Sequence, residues 1–307
     1  MSLYWAGGPK ESRMRVRPFR PDDAGALAAL SASCAKGQSD FVLNPLWETE
    51  DELFAEFQRN GISPEDHLLV ADGDSGGVAG LAGFLRRPGS QVAGLYAPIV
   101  ARAERGHGLG GELLRAALTQ GEKLGIKLVT AGIGVRNHAG YALLAGMGFR
   151  PVRQHFLMRL DRKPNAAGPL LRDVKFSVAN PEAAAGVLEL YEECGFEPRS
   201  LDAMLAVLAD PHHATVVAYQ SGRLVAFAEL ETHWVRRVWV AYVGVRSDLR
   251  DRGVGSALVG FALEREFERG AESALLLISP ANRTALRAYE KSGFRRHRLV
   301  DVLERGL

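Results

Sequence analysis

Only two of the 307 residues are cysteine, Cys34 and Cys194. Neither stands in a CxxC or Cys/His spacing, so no zinc or redox motif is visible and no metal is expected. Two lone thiols fit a reducing, cytoplasmic setting, with both as small core residues. An excess of charge is missing too: 38 Lys and Arg against 36 Asp and Glu leave a formal net charge of +2. That balance gives no reason to expect nucleic acid or an anionic membrane as partner. The stretch from Met1 to Arg17 has no long apolar run, so it reads as neither a signal peptide nor a membrane span, and Met14 stands as an alternative start. What remains is ordinary globular composition, 47% hydrophobic and 24% charged, at a length that suggests about two domains.

The chain repeats itself. Arg105 opens a turn containing Gly106, Gly108 and Gly110, and Arg250 opens a second containing Gly253 and Gly255. Each turn is followed by an asparagine and then a Gly-Phe pair. Arg105 and Arg250, Asn137 and Asn282, and Phe149 and Phe294 are all 145 residues apart. Earlier landmarks, Arg15 with Lys175 and Cys34 with Cys194, are 160 apart. The first copy therefore carries extra residues, expected mostly within 35–50.

A coarse reading gives both copies one order. In the first, a strand over 14–19 precedes helices over 22–33 and 51–59. Strands follow near 67–72, 77–86 and 91–100, separated by turn residues. The Gly-rich turn opens a helix over 109–124. A buried strand over 127–133, a short helix from Asn137 and a closing strand over 149–160 complete the unit. The expected domains are 14–160 and 172–307, joined by a Pro- and Gly-containing linker over 161–171. The class is α/β (α+β), with a mixed, mostly antiparallel sheet.

A glycine-rich turn entering a helix presents free backbone N–H groups at the positive end of the helix dipole, a phosphate site in outline. The simpler reading is a tight turn before a helix. Gly106, Gly108 and Gly111 also match a dinucleotide fingerprint, but no acidic residue ends the next strand at Val129-Thr130-Ala131. The second copy has Leu258 beyond Gly255 and Ser256, and no Gly-Lys-Ser/Thr follows either turn. Both nucleotide readings are disfavoured.

The second copy carries Arg250, Gly253 and Gly255, then Asn282, Ala285, Tyr289, Gly293 and Phe294. This pattern resembles the GNAT superfamily of acetyl-CoA-dependent N-acyltransferases, here in a tandem two-domain form. The resemblance covers nearly the whole chain. It implies a sheet that splays open beside the Gly-rich turn, with the pantetheine arm of acetyl-CoA in the splay. It implies pyrophosphate binding by Arg250, Asp251, Arg252, Gly253, Val254, Gly255 and Ser256. Pairing of pantetheine with the strand over 239–245, and a supporting role for Asn282, are implied as well. The counterpart turn in the first copy is Arg105, Gly106, His107, Gly108, Leu109, Gly110 and Gly111.

The chemistry of such a transfer assigns roles. The tetrahedral oxyanion needs an N–H donor, which an open strand edge at Val243 to Val245 can supply. The departing thiolate needs a proton, which the phenol of Tyr289 can give; a packing tyrosine is the alternative. Glu229 and Glu231 alternate on the preceding strand and share a face, as candidates for base, proton relay or cation contact, or as a solvated outer face. In the first copy Gly83 and Leu85 align with them, Leu144 replaces the tyrosine, Gly140 the alanine, and Pro98 falls at the position of Val243. Proline has no N–H. The first copy is therefore expected to be degenerate, binding acyl-CoA weakly or not at all.

The leading expectation is an N-acetyltransferase that moves acetyl directly from acetyl-CoA to a primary amine of a small molecule or peptide in the second copy. The alternative is a non-catalytic CoA-binding or interaction protein. His212, His213, His233 and Trp234 are candidates for an acceptor pocket, beside ordinary surface or core roles. Monomer, with the two copies as a pseudo-dimer, and homodimer are both compatible.

Overall fold

A computed structural model describes residues 16–73, 76–164 and 173–307. The residues before Val16 and most of the expected linker lie outside the described residues. The chain divides into two compact units. Among the described residues, unit 1 takes those up to 153 together with 301–307, and unit 2 takes those from 154 to 300.

In unit 1, β1 (Val16–Pro18) leads through a 3-10 turn to α1 (Ala24–Cys34), and α2 (Glu50–Arg59) and α3 (Pro64–His67) follow. Next come β2 (Leu68–Asp72), β3 (Val78–Leu85) and β4 (Val92–Val100), then α4 (Leu109–Lys123), β5 (Leu128–Gly134) and α5 (His138–Gly146). β6 (Arg150–Leu160) starts in unit 1 and runs on into unit 2. Unit 2 repeats the order with β7 (Val174–Val178), α6 (Ala184–Glu193), α7 (Leu201–Ala209), β8 (His213–Gln220), β9 (Arg223–Trp234), β10 (Arg237–Val245), α8 (Val254–Glu268), β11 (Ser273–Ile278) and α9 (Arg283–Lys291). The last strand, β12 (Arg295–Gly306), ends in unit 1.

Both sheets are mostly antiparallel, as expected. In unit 2 the order is β7-β8-β9-β10-β11, and only β10 and β11 are parallel. β11 then pairs antiparallel with Phe156–Leu160 of β6. In unit 1 the order is β1-β2-β3-β4-β5, closed by the end of β12, with Leu307 N–H donating to Lys127 O at 3.0 Å. Each closing strand thus completes the sheet of the other repeat. Alternation along residues 150–160 marks a strand but says nothing of which edge it joins.

The 160-to-145 change of offset is spread over the early helices. Fifteen residues (35–49) join α1 to α2, against seven (194–200) between α6 and α7. Eight residues (60–67), including α3, lead to β2, against three (210–212) before β8.

Candidate acetyl-transfer site

The parallel strands at the middle of each repeat pair briefly and then part. β10 meets β11 only over Arg237–Trp239, and β4 meets β5 only over Val92–Gly94. Beyond those residues β10 parts from β11 and β4 from β5, and in unit 2 this leaves one edge of β10 open. Backbone N–H groups alternate in direction along a strand. Arg246 N–H donates to Val225 O of β9 at 3.0 Å. Those of Val245 and Val243 therefore point to the open edge. The Val245 carbonyl, on the same side, accepts from Arg250 Nε at 3.0 Å.

β10 ends at the Gly-rich turn. Gly253 is the N-cap of α8 with φ +82°, and no side chain caps the helix. Asp251 holds φ +60°, a left-handed conformation that aspartate tolerates. A Cβ on Gly255 would come within 3.1 Å of Val245 Cγ2, so glycine lets α8 start against the strand. The first-turn amides of α8 and the open donors of β10 thus lie in sequence along one route. This arrangement fits a pyrophosphate followed by an amide-rich arm. Val243, Val245 and Tyr289 all pack against one core cluster, with Leu286 of α9 in it.

Tyr289 is half-buried, with its ring edge-on to Phe294 at 5.6 Å. Burial pushes its phenol up to about 12. Asn282 spends its side chain as the N-cap of α9, accepting from Ala285 N at 3.1 Å. Asn137 does the same for Gly140 in unit 1 at 2.9 Å. The direct role of these asparagines is thus to start the helix.

Glu229 and Glu231 share the β9 face turned toward α6, where Phe227 stacks on Tyr191 at 4.9 Å. Their environments differ. Glu229 is 1% exposed, accepts a hydrogen bond from Tyr191 Oη at 2.6 Å, and pairs with Arg199 at 3.0 Å. The Arg199 guanidinium lies over the rings of Tyr191 and Tyr242, 4.9 and 5.0 Å from their centroids. Burial, then the Glu229 charge, raises the Tyr191 phenol far above its ordinary value. Glu231 is half-buried, one step along the same face, opposite Trp239 on β10 and His213 on β8. The solvated-face alternative therefore does not describe Glu229. Tyr191, Arg199 and Tyr242 are invisible as a group in the sequence, because α6, the α6–α7 connection and β10 bring them together.

Cys194 is half-buried rather than core: Arg250 Nη2 approaches its sulfur at 3.7 Å. A surface pocket lined by Trp234, Arg237, Glu266 and Arg269 lies at the C-terminal end of α8, away from the turn, and plays no part in this arrangement.

Unit 1 keeps the turn but not the opening. Gly106 and Gly108 hold φ +86° and +87°, and Gly108 is the N-cap of α4 without a side-chain cap. Ala101 N–H donates to Ala79 O at 2.8 Å, as Arg246 does to Val225 in unit 2. Pro98 therefore sits where the outward donor of Val243 would be. The residues after α1 enter the gap between β4 and β5. Leu43 N–H donates to Gly132 O at 2.9 Å, and Gly134 N–H donates to Phe41 O at 3.0 Å. A Cβ on Gly94 of β4 would meet Asn44 Nδ2 at 3.5 Å. Arg105 of the turn reaches Asp40 at 3.4 Å and Cys34 O at 3.2 Å. At the position matching Glu229, Gly83 leaves no room, since its Cβ would lie 2.2 Å from His67 O. Trp47, 0% exposed, fills that side edge-on to Tyr96 at 6.0 Å.

Two repeats whose parallel strands part beside a glycine-capped helix start, with the gap left open in unit 2, have the architecture of an acyl-CoA-dependent transferase. The comparisons agree. The Acetyltransferase (GNAT) family model matches residues 37–149 and 184–294, and the chain belongs to that family. A mycothiol acetyltransferase of Thermobispora bispora is 31% identical, over 95% of this chain and 99% of its own. One of Tsukamurella paurometabola is 28% identical, over 90% and 94%. The GCN5-related N-acetyltransferase structure from Sphaerobacter thermophilus superposes with a TM-score of 0.80 at 23% identity, covering 96% of each chain. A tandem GNAT protein from the clavulanic acid biosynthesis pathway does so at 0.73 and 15%, covering 96% and 98%. The protein is an acetyl-CoA-dependent N-acetyltransferase built from two tandem GNAT repeats. Among the described residues no helix is long and apolar enough to cross a membrane.

Proposed function

We propose that acetyl transfer takes place in unit 2 alone, directly from acetyl-CoA to a primary amine of a small-molecule acceptor of the mycothiol type. The acceptor class rests on the names of the relatives, one of them 31% identical over almost its full length. The observation that carries the one-site reading is the contrast at the open edge. Val243 and Val245 offer outward N–H groups in unit 2, whereas unit 1 has Pro98 there and its own residues 41–44 in the gap.

The roles follow from position. The amides of Val254, Gly255 and Ser256 at the start of α8, with Arg250 and Arg252, hold the pyrophosphate. Val243 N–H stabilises the oxyanion as the amine attacks the thioester. Glu231 takes the proton of the acceptor ammonium, directly or through water. Glu229 is a positioning residue that fixes Arg199 and Tyr191 beneath the acceptor. Tyr289 keeps its proton at any physiological pH, donates a hydrogen bond to the departing sulfur, and yields the proton as thiolate charge builds. Unit 1 serves as a structural partner. The setting is cytoplasmic, as monomer or homodimer.

A thiol-release assay with acetyl-CoA and a panel of amines, including a mycothiol-type acceptor, tests this. Turnover with that acceptor, lost in Val243→Pro, is expected. Turnover with other amines but not with it removes the acceptor assignment, and unaltered turnover in Val243→Pro removes the site.

A further inference from the structure

We propose that Asp210, His213 and His233 form a binding site for one divalent metal ion of the zinc class. The sequence carries no metal motif, because the three residues come from separate elements. Asp210 ends α7, His213 opens β8 and His233 lies near the end of β9. The fold brings one ligand atom from each to within 4.8 Å of the others, all at half-buried positions.

The spacing suits a tetrahedral ion. Zinc bonds of about 2.0–2.1 Å put neighbouring ligand atoms about 3.3 Å apart. His233 Nε2 and His213 Nε2 are 3.3 Å apart, and Asp210 Oδ2 lies 3.7 Å from His213 Nε2. Two imidazoles and a carboxylate form a donor set that zinc accepts while keeping a fourth position open.

The ligands are also held. His213 pairs with Glu231 across the sheet, so His233, two residues further on, shares its face. Asp210 Oδ1 accepts from His212 N at 2.8 Å, which leaves Oδ2 directed at the histidines. His213 N donates to Asp210 O at 3.0 Å, and Thr232 Oγ1 donates to His212 O at 3.1 Å. Such outer contacts fix ligand orientation before an ion arrives. The site continues the row of Glu229 and Glu231, so its open position faces the side assigned to the acceptor.

The test uses the full chain without an affinity tag, stripped with a chelator and titrated with Zn²⁺ by calorimetry. Co²⁺ serves as a spectroscopic probe, since four-coordinate cobalt absorbs strongly in the visible. One equivalent of each ion is expected, with the four-coordinate cobalt spectrum. His233→Gln and Asp210→Asn should each weaken binding at least about tenfold while the metal-free melting temperature stays put. No saturable binding, or binding unaltered in the double variant, would mean that the cluster is only a hydrogen-bonded histidine pair beside a carboxylate. Metal binding is read without any acetyl transfer, so this result and that of the thiol-release assay stand independently.

Discussion

The Glu229 carboxylate accepts a 2.6 Å hydrogen bond from Tyr191 and holds Arg199 at 3.0 Å, on the β9 face that also carries Glu231. A carboxylate committed to two donors is poorly placed to collect a third proton. The two acids should therefore separate in their variants. Glu229→Gln strands the Arg199 charge and should cost about 3 kcal/mol of stability, the low end for a broken buried pair because Arg199 keeps some water. Its pH–rate profile should keep its shape. Glu231→Gln should leave stability nearly intact, lower kcat/KM by about 100-fold at neutral pH, and abolish the acid limb of the profile. Denaturant melts and pH–rate curves of both variants check this; an altered limb in Glu229→Gln would reverse the assignment.

Tyr289→Phe should lower kcat by about 100-fold or more with little effect on the KM for acetyl-CoA, since the phenol acts on the leaving sulfur. The phenol is raised to about 12, from an ordinary 10. A raised folded-state pKa makes the group's stability contribution complete below about 10, and that contribution is lost as pH rises toward about 12. Alkaline denaturation of the wild type should begin in that window and be shallower in Tyr289→Phe. Steady-state kinetics and alkaline melts read both effects.

One acetyl-CoA should bind per chain. Gly253 holds φ +82° at the first cap of α8, a conformation in which a β-branched side chain is strained. Gly253→Val should abolish calorimetric binding altogether. Two equal sites in the wild type, or a residual full-strength site in Gly253→Val, would place a working cofactor site in unit 1.

The repeats, the helix starts at Gly108 and Gly253, and the outward edge at Val243 are legible in the sequence, because each rests on short-range pattern. Pro98 was legible for the same reason: a missing N–H is written in one residue. The path of residues 41–44 was not, since nothing in Phe41-Val42-Leu43-Asn44 says which edge it will pair with. The exchange of β6 and β12 escaped in the same way. The Tyr191–Glu229–Arg199 group and the Asp210–His213–His233 cluster each include one residue, Glu229 or His233, about 20 or more positions from the other two, beyond any periodicity.

The residues that fill the gap of unit 1 should be structural, and Trp47 is where that shows. It belongs to the longer α1–α2 connection, is 0% exposed, and meets Tyr96 edge-on at 6.0 Å. Tyr96 in turn donates to Glu56 at 2.5 Å, so the indole closes over a buried polar pair. Trp47→Ala removes a large buried ring and should destabilise unit 1 by about 3–5 kcal/mol. Water admitted beside Tyr96 would lower a phenol that burial now holds well above 10. Unit 2 contains none of these residues, so its acetyl-CoA affinity at low temperature should be unaffected. A melt followed by tyrosine absorbance, with calorimetry below the transition, separates the two. Loss of acetyl-CoA affinity in folded Trp47→Ala would mean that the filled gap of unit 1 takes part in cofactor binding after all.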